Sequence, residues 1–438
     1  MQKSKRFWTA LVIFSLVGQI AWVVENMYLN VFIYKMFGAS ASQISAMVMA
    51  SAIAATLTTV LIGALSDKIG KRKIFMVGGY ILWGVSILGF ALVRMETMAA
   101  LFPSLATVAL TSACINTVIV LDCLMTFFGS SANDAAFNAW LTDSTADAGR
   151  GAAEGINAMM PLVAILAVFG GFMAFDLDRA SSWTWIFVII GAVVIVIGVL
   201  GLFLIEEDEK RIDENTDTFK NIIYGFRPSV IKQNPLLYVT LGAFALFGIS
   251  IQIFMPYLIL YYEVSLQMTN YVFIMAPAIV LASVVTFFWG RYYDKVGFIP
   301  SVIPALAMLA VGYIVLFAFR ATALVFIGSL LMMSGYLAGM AVFGAMIRDK
   351  TPVGKAGMFQ GLRIFSQVLI PGVIGPAIGA AILKNAEVIV GNDGTESFIP
   401  NANIFLGALL VLIPVGATVY LLYRMIGSNK TDTCDTKK

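Results

Sequence analysis

The sequence predicts an all-α integral membrane protein with twelve transmembrane helices in two pseudo-symmetric six-helix bundles. Three observations support this prediction. The chain is 60% hydrophobic and only 12% charged, whereas soluble domains carry about 25% charged residues. Its apolar residues form runs of roughly 18 to 28 residues between charged loops, which is long enough for helices that span a bilayer. A charged loop near residue 67 returns near residue 294, about half a chain length later, as expected for two repeated halves.

Each apolar run is long enough to cross about 30 Å as a helix. We place the twelve segments at residues 8–35, 43–65, 74–93, 113–142, 153–175, 183–205, 236–262, 269–291, 299–319, 322–347, 357–383 and 402–426. The stretch 97–111 before the fourth segment is long for a turn, and we expect a short amphipathic piece at the outer surface there. A surface helix is expected around 219–230, and the polar stretch 384–403 is expected to be a solvated connection.

The repeated loop follows one spacing in both halves. A glycine stands four residues before an aspartate, a lysine follows the aspartate, and a second glycine comes three residues after it. The two copies are Gly63, Asp67, Lys68 and Gly70, and Gly290, Asp294, Lys295 and Gly297. Asp143 and Asp349 begin a second, weaker repeat in the loops into segments five and eleven. The sequence therefore predicts equivalent loops in the two halves.

Basic residues predict the orientation of the chain. If the amino terminus is cytoplasmic, 22 lysines and arginines fall on the inner side and five on the outer side. This asymmetry follows the positive-inside rule and predicts a multi-pass protein of the cell (cytoplasmic or inner) membrane with both termini in the cytoplasm. The predicted domains are a bundle at 1–205, a cytoplasmic linker at 206–235, a second bundle at 236–427 and a cytoplasmic tail at 428–438.

Composition also excludes several kinds of site. The chain contains no histidine, which excludes imidazole metal sites, Ser-His-Asp triads and histidine proton relays. The three cysteines share no paired motif, so neither a disulfide framework nor a zinc site is indicated. We expect no metal, no cofactor and no nucleic-acid partner, and any proton chemistry must use carboxyl groups.

The motif between segments two and three resembles that of the major facilitator superfamily, and the resemblance covers the whole chain. That motif reads Gly-x-x-x-Asp-[Arg/Lys]-x-Gly-[Arg/Lys]-[Arg/Lys], and the first copy matches it at Gly63, Asp67, Lys68, Gly70, Lys71 and Arg72. The second copy lacks the trailing basic pair, because Phe298 and Ile299 stand there. The resemblance implies the major facilitator fold and alternating access.

A second stretch is similar to a narrower family. Residues Arg150 to Gly155 follow the pattern Arg/Lys-Gly-x-x-Glu-Gly, which resembles the glycoside–pentoside–hexuronide:cation symporters, the melibiose permease-like family. That resemblance implies cation-coupled uptake of a sugar or glycoside. Those symporters typically place paired acidic residues in helix two, whereas residues 42–65 contain none, which argues against a sodium site of that kind.

The inner loops hold the candidate gating residues. The carboxylate of Asp67 can cap a neighbouring inner helix and pair with basic groups, which would favour a conformation closed on the cytoplasmic side. The alternative is that these charges only keep the loop inside. The gating candidates are Gly63, Asp67, Lys68, Gly70, Arg72, Asp143, Glu154, Asp294 and Arg363. An ion pair of Arg363 with Asp134 or Glu154 across the two bundles is a candidate inner gate.

Acidic residues inside apolar runs are candidates for ion coupling, because an ionised group at a helix centre costs about 2.5–3.5 kcal/mol to insert. Glu25 lies near mid-membrane in segment one and is the first candidate. Asp134 is the second and Asp122 the third. On a straight helix Asp122 and Asp134 point about 120° apart, so they meet only if Gly129–Ser131 breaks the helix. A carboxyl group removed from water favours its neutral form and could therefore load and release a proton.

Amide and aromatic side chains in the segments are candidates for solute binding, because amides bond hydroxyl groups and aromatic faces cover the apolar face of a sugar. The candidates are Gln19, Trp22, Asn26, Asn30, Asn133, Asn138, Trp140, Gln252 and Tyr257. Gln19, Asn26 and Asn30 share one face of segment one. The alternative is that these side chains form structural hydrogen bonds between helices.

Together these features predict a secondary active transporter that moves a small polar solute, such as a sugar or glycoside, by cation-coupled symport. The proton is favoured as the coupling ion and sodium is the alternative. The expected partners are the solute, the ion and the lipid bilayer, and the carrier is expected to be a monomer. Two other functions remain open, a proton-coupled exporter of amphipathic compounds, favoured by 22 Met and 32 Phe, and a lysolipid carrier. A membrane-embedded enzyme is not expected, because no loop contains a clustered catalytic motif.

Overall fold

The computed structural model describes residues 4–145, 150–206, 224–268, 270–352, 356–390 and 396–435. For a few residues inside helices, among them Asp67 and Arg150, only the backbone is described. Within the described residues, twelve helices are long and apolar enough to cross a membrane. The predicted all-α membrane fold with twelve transmembrane helices is therefore confirmed, and each helix overlaps its predicted segment.

Contacts between Cα atoms divide the chain into two compact units. The first contains Met1–Thr218 with Val388–Phe398, and the second contains Phe219–Glu387 with Ile399–Lys438. The predicted boundaries of the linker, at 206 and 235, stay a prediction, because residues 207–223 lie outside the described part of the chain.

The first unit contains helices 1 to 6. Helix 1 has three consecutive parts, Lys5–Val23, Val24–Tyr28 and Leu29–Phe37. Helix 4 also has three parts, Thr107–Gly129, Ser130–Phe137 and Asn138–Ser144. Helices 2, 3, 5 and 6 are Ala41–Ile69, Arg72–Phe90, Arg150–Phe172 and Ala180–Leu204. A short helix, Met95–Leu101, precedes helix 4. The sequence predicted a short amphipathic piece over 97–111. The observed helix lies earlier and is shorter, because helix 4 already begins at Thr107, six residues before its predicted start.

The second unit contains helices 7 to 12. Helix 7 has four consecutive parts, Pro235–Phe254, Met255–Tyr257, Leu258–Leu260 and Tyr261–Ser265. Helix 11 has three parts, Ala356–Ile364, Phe365–Leu369 and Ile370–Leu383. Helices 8, 9, 10 and 12 are Val272–Val296, Phe298–Ala318, Thr322–Lys350 and Asn403–Asp435. A short helix, Pro228–Gln233, precedes helix 7. The sequence predicted a surface helix around 219–230, of which residues 219–223 lie outside the described residues. The described part of that prediction overlaps only the first three residues of Pro228–Gln233.

Helices pair in the same way in each unit. In the first unit helix 1 packs on helices 5 and 6, helix 2 on helix 4, and helix 3 on helix 6. In the second unit helix 7 packs on helices 11 and 12, helix 8 on helix 10, and helix 9 on helix 12. This correspondence is what a repeat of six helices predicts.

Each repeated loop ends the preceding helix at a glycine with positive φ. Gly70 ends helix 2 with φ +72°, and Gly297 ends helix 8 with φ +81°. A side chain at positive φ is strained, whereas glycine adopts it freely. The trailing glycine of each copy is therefore required by the backbone, which explains why it recurs 227 positions later.

Four helices contain a π-helical turn. These turns are Val24–Tyr28 in helix 1, Ser130–Phe137 in helix 4, Tyr261–Ser265 in helix 7 and Phe365–Leu369 in helix 11. A π turn inserts an extra residue into the helical repeat, so residues after it point in a different direction than in a regular helix. Helix 4 is therefore widened after Gly129 rather than broken there.

The stretch 384–403, expected to be a solvated connection, contains two short antiparallel strands. Strand β1 (Val388–Val390) pairs with β2 (Glu396–Phe398), with Val388 opposite Phe398. The β-branched residues of β1 favour an extended backbone. The hydroxyl of Tyr34 on helix 1 donates a 2.6 Å hydrogen bond to the carbonyl oxygen of Phe398, which holds the end of the hairpin in the first unit.

Candidate functional site

A buried carboxyl group joins three helices of the first unit. Glu25 lies on the π turn of helix 1 and is 6% exposed. Its Oε1 atom accepts hydrogen bonds from Ser51 on helix 2 at 2.9 Å and from Thr126 on helix 4 at 2.8 Å. The two hydroxyl oxygens are themselves 2.7 Å apart. The first coupling candidate is thus held in a fixed position at the junction of helices 1, 2 and 4.

Asp122 on helix 4 is the second carboxyl group of this cluster. It is 2% exposed, and it lies close enough to Glu25 and Ser51 to interact electrostatically with both. Oε2 of Glu25 and Oδ1 of Asp122 are buried and have no hydrogen-bond partner among the described residues. The structure therefore brings Glu25 together with Asp122, the third coupling candidate. We refer to Glu25, Asp122, Ser51 and Thr126 as the carboxyl cluster.

A narrow apolar cavity borders Glu25 of the carboxyl cluster. The space beside Glu25 is too narrow for a water molecule, and it is lined by Ala21, Val24, Leu29, Ile87, Phe90, Met125, Phe187 and Ile190. Among the described residues, no lysine or arginine forms an ion pair with either carboxyl group. Two ionised carboxylates without a counter-charge are very unfavourable in such a medium.

Asp134, the second coupling candidate, lies apart from the direct hydrogen bonds of the carboxyl cluster. It is half-buried on the π turn of helix 4 and accepts a 3.0 Å hydrogen bond from the hydroxyl of Ser130. The charge of Asp134 still acts on Glu25. Asp122 and Asp134 thus both interact electrostatically with Glu25, and the ranking of the three coupling candidates stays a prediction.

The polar residues predicted to form one stripe on helix 1 differ in exposure. Gln19 and Trp22 are half-buried, Asn26 is exposed, and Asn30 is 1% exposed. The amide of Asn26 donates to the carbonyl oxygen of Trp22 at 2.8 Å, and that of Asn30 donates to the carbonyl oxygen of Asn26 at 3.2 Å. The indole of Trp22 packs on that of Trp83, with ring centroids 5.0 Å apart. Of these four side chains, Asn26 is thus accessible, Gln19 and Trp22 are partly accessible, and Asn30 is not accessible.

The solute-binding candidates on helix 4 also divide by burial. Asn133 is 3% exposed and donates to the hydroxyl of Tyr80 at 3.3 Å. Trp140 is buried against Phe7 and Phe137. Asn138 is exposed and bonds the carbonyl oxygen of Asp134. These contacts favour the structural interpretation for Asn133 and Trp140 and leave Asn138 accessible.

In the second unit, Gln252 and Tyr257 lie on helix 7 and its 3₁₀ turn. Gln252 is half-buried, and Tyr257 is fully buried. Arg363 on helix 11 is half-buried, and its Nε donates to Oε1 of Gln367 at 3.3 Å. The ion pair predicted for Arg363 with Asp134 or Glu154 would join residues of different units and stays a prediction.

The gating candidates of the first unit form an ion pair at the end of helix 4. Arg72 pairs with Asp143, with Nε 3.4 Å from Oδ2, and also donates to the hydroxyl of Ser66. Lys68 and Glu154 are exposed. The side chain of Asp67 lies outside the described residues, so its predicted capping role stays a prediction. Gly63 lies inside helix 2, where an added Cβ atom would meet only the Cβ atom of Ala135, at 4.0 Å.

The corresponding loop of the second unit uses a different donor. The hydroxyl of Tyr293 donates to Oδ2 of Asp349 at 2.6 Å, and Asp349 is the counterpart of Asp143 in the second repeat. Asp294, the gating candidate here, is exposed. In each unit, a residue next to the loop between the second and third helices thus bonds an aspartate near the end of the fourth helix.

Several contributors escape prediction from the sequence. Ser51, Thr126 and Ser66 bind the candidate side chains, yet serine and threonine are common in membrane helices and usually bond the carbonyl four residues earlier. Nothing in the sequence distinguishes these three from the others. Within the described residues there is no group of three or more histidine, cysteine or acidic residues that could hold a metal ion.

Comparison with known proteins gives a family match and fold matches. The model of the Major Facilitator Superfamily matches residues 8–376. A variant of the nucleoside transporter NupG has 12% identical residues and a TM-score of 0.72, and the match covers 95% of this chain and 99% of that one. A bacterial homologue of the human lysosomal transporter Spinster, in an inward-facing and unoccupied conformation, has 15% identity and a TM-score of 0.67 over 97% of this chain and 98% of that one.

No curated protein sequence matches the chain significantly. At such low identities the solved structures establish the shared fold alone, so the chemistry must be argued from the residues of the first and second units themselves.

Proposed function

The chain belongs to the Major Facilitator Superfamily, and from this premise we propose that it is a secondary active transporter that couples proton movement to a small polar solute by alternating access. The observation that supports proton coupling most directly is the carboxyl cluster. Glu25 and Asp122 lie inside membrane helices, in apolar surroundings and without a basic partner among the described residues. Intramembrane acids in such positions are typical of proton pathways.

The proton is the better candidate ion for a physical reason. In the dry arrangement a neutral carboxyl group is far less costly than a charged one, so Glu25 or Asp122 would release its proton only when the site is opened to water. Opening to one side and then to the other would load and unload one proton per cycle. One charge moving inward at about 100 mV supplies roughly 2.3 kcal/mol, enough for about fifty-fold accumulation of a neutral solute.

For the solute we propose a small hydroxylated compound such as a sugar, a glycoside or a nucleoside. The accessible amides Asn26, Asn138, Gln19 and Gln252 can bond hydroxyl groups, and Trp22 offers an aromatic face. The resemblance of Arg150–Gly155 to glycoside:cation symporters supports a glycoside, and the shared fold with the nucleoside transporter NupG is the reason to include nucleosides.

A thermal-shift screen of the purified chain with sugars, nucleosides, organic acids and lysolipids, with and without sodium, would identify the solute. A hit is then tested in proteoliposomes with an imposed proton gradient and without sodium. We expect uptake against the solute gradient, abolished by a protonophore. Uptake that requires sodium, release instead of uptake, or a lysolipid as the sole hit would refute this proposal and favour sodium coupling, an amphipath exporter or a lipid carrier respectively.

We further propose that both termini lie in the cytoplasm and that the chain resides in the inner membrane. The supporting observation is the excess of lysine and arginine in the loops assigned to the inner side. Alkaline phosphatase fused after Lys438 should be inactive, whereas fusion within 391–395 should be active. The reverse pattern would contradict this orientation.

A further inference from the structure

Helices 9 and 12 of the second unit enclose an apolar groove on the surface of their pair. Its volume is about 380 Å³. Helix 9 contributes the aliphatic side chains of Ile299, Ile303 and Leu306. All three belong to the first turns of helix 9, which begins at Phe298, so the groove lies toward that end of the bilayer-spanning region.

The opposite wall of the groove comes from helix 12. Gly416, Tyr420 and Tyr423 line it, and a Cβ atom at Gly416 would meet no other atom within 4 Å. The missing side chain therefore opens the groove rather than allowing a close helix contact. Tyr420 and Tyr423 are 61% and 58% exposed, which is typical of tyrosines at the edge of a bilayer. The shape fits a hydrocarbon chain with its polar end near Tyr423.

Basic residues lie at the same end of the groove. Arg424 follows Tyr420 by four residues and so lies on the same side of helix 12, and it is exposed. Lys295 is exposed in the last turn of helix 8, just before helix 9. Among the described residues neither forms an ion pair, and with Arg291 they outweigh the one acid at that end of helix 8, Asp294. The free charges at this end are thus predominantly positive.

We propose that this groove binds one anionic phospholipid, with an acyl chain between helices 9 and 12 and the phosphate near Arg424 and Lys295. Apolar grooves that end in a basic cluster at the positively charged side of a membrane protein are suited to anionic headgroups. The inference is independent of the transported solute and of the carboxyl cluster.

The test counts lipids retained by the purified chain in detergent, by native mass spectrometry. The chain is mixed with phosphatidylglycerol or with phosphatidylcholine that carries the same acyl chains. We expect one phosphatidylglycerol to stay bound and phosphatidylcholine to be lost, together with a higher melting temperature in phosphatidylglycerol. Equal retention of the two lipids would overturn the proposal.

Two variants locate the site. Gly416→Phe fills the groove and should abolish retention, whereas Arg424→Gln, at an exposed side chain that leaves the packing intact, should weaken retention about five-fold. The control is Gly171→Phe, at another exposed glycine with open space around it, near which Asp176 and Arg179 pair with each other at 2.9 Å. Retention that is unchanged by Arg424→Gln, or lowered as much by Gly171→Phe as by Gly416→Phe, would place the lipid elsewhere.

Discussion

Thr126 on helix 4 donates a 2.8 Å hydrogen bond to Oε1 of Glu25 on helix 1, and this bond connects two helices through a buried acid. Thr126 is 1% exposed, so water does not compete for its hydroxyl group. With Ser51 bound to the same oxygen atom, the Glu25 side chain is fixed on one side, while Oε2 has no partner among the described residues. Such a group is suited to hold a proton on its unbonded oxygen.

Replacing Glu25 tests proton coupling directly. Glu25→Gln keeps a carbonyl oxygen that can accept from Ser51 and Thr126 but cannot release a proton. We expect solute exchange between the two sides of a proteoliposome to persist and accumulation driven by a proton gradient to be lost. The measurement compares counterflow with gradient-driven uptake of the solute identified by the screen.

The control for this variant is Glu96→Gln, since Glu96 is exposed on the short helix before helix 4 and should leave both activities unchanged. If Glu25→Gln still accumulates solute while Asp122→Asn does not, Asp122 is the coupling acid. If both variants accumulate solute normally, the carboxyl cluster has no role in coupling.

The second prediction concerns the energy of the buried hydrogen bond. Thr126→Val removes the hydroxyl group at nearly constant volume and leaves a buried carboxyl oxygen with fewer donors, which should cost about 1–3 kcal/mol of stability. The melting temperature in detergent reports the loss. In a Glu25→Leu background the same change should cost little, because the acceptor is absent.

Thr117→Val provides the matched control for Thr126→Val. Thr117 is a half-buried threonine on the same helix that bonds only the carbonyl oxygen of Ala113. If Thr117→Val lowers the melting temperature as much as Thr126→Val does, the hydrogen bond to Glu25 contributes no additional stability.

The fold follows from features that the sequence states directly. Apolar runs determine which segments span the bilayer, because the backbone must satisfy its own hydrogen bonds there. The trailing glycines Gly70 and Gly297 could be recognised because positive φ admits few other residues. The hairpin at 388–398 was missed, since its polar neighbours suggested a loop and its anchor, Tyr34, lies hundreds of residues away.

The candidate site follows from the sequence only in part. Glu25 and Asp122 stand out because charge is rare in apolar runs, yet their pairing depends on how helices 1, 2 and 4 pack. The direction of each side chain cannot be counted at 100° per residue through the π turns of helices 1 and 4. This is why the sequence could not predict that Asp122 lies near Glu25 and gave no reason to single out Ser51 or Thr126.

The third prediction distinguishes the two glycines of each repeated loop. Gly70→Ala and Gly297→Ala place a side chain at positive φ and should destabilise the chain by about 1–3 kcal/mol each. Gly63→Ala and Gly290→Ala lie inside helices with room for a methyl group and should be neutral or slightly stabilising. Melting temperatures of the four variants in detergent test this, and equal effects at leading and trailing positions would contradict it.

The fourth prediction concerns the ion pair that ties Arg72 to Asp143. Its side chains are 10% and 24% exposed, so the pair is better shielded from water than a surface salt bridge. Arg72→Gln and Asp143→Asn should each lower stability by about 1–3 kcal/mol, and the double variant should lose less than the sum. Lys68→Gln, at an exposed neighbour, is the control and should change stability little.

The second unit offers an independent check on this fourth prediction. There the hydroxyl of Tyr293 bonds Asp349 in place of an arginine, and Asp349 is exposed whereas Asp143 is half-buried. A neutral donor and greater contact with water both weaken the bond. Tyr293→Phe should therefore cost less than Arg72→Gln, at most about 1 kcal/mol. A larger loss from Tyr293→Phe, measured as the shift in melting temperature, would show that the second loop depends more on this connection than the first.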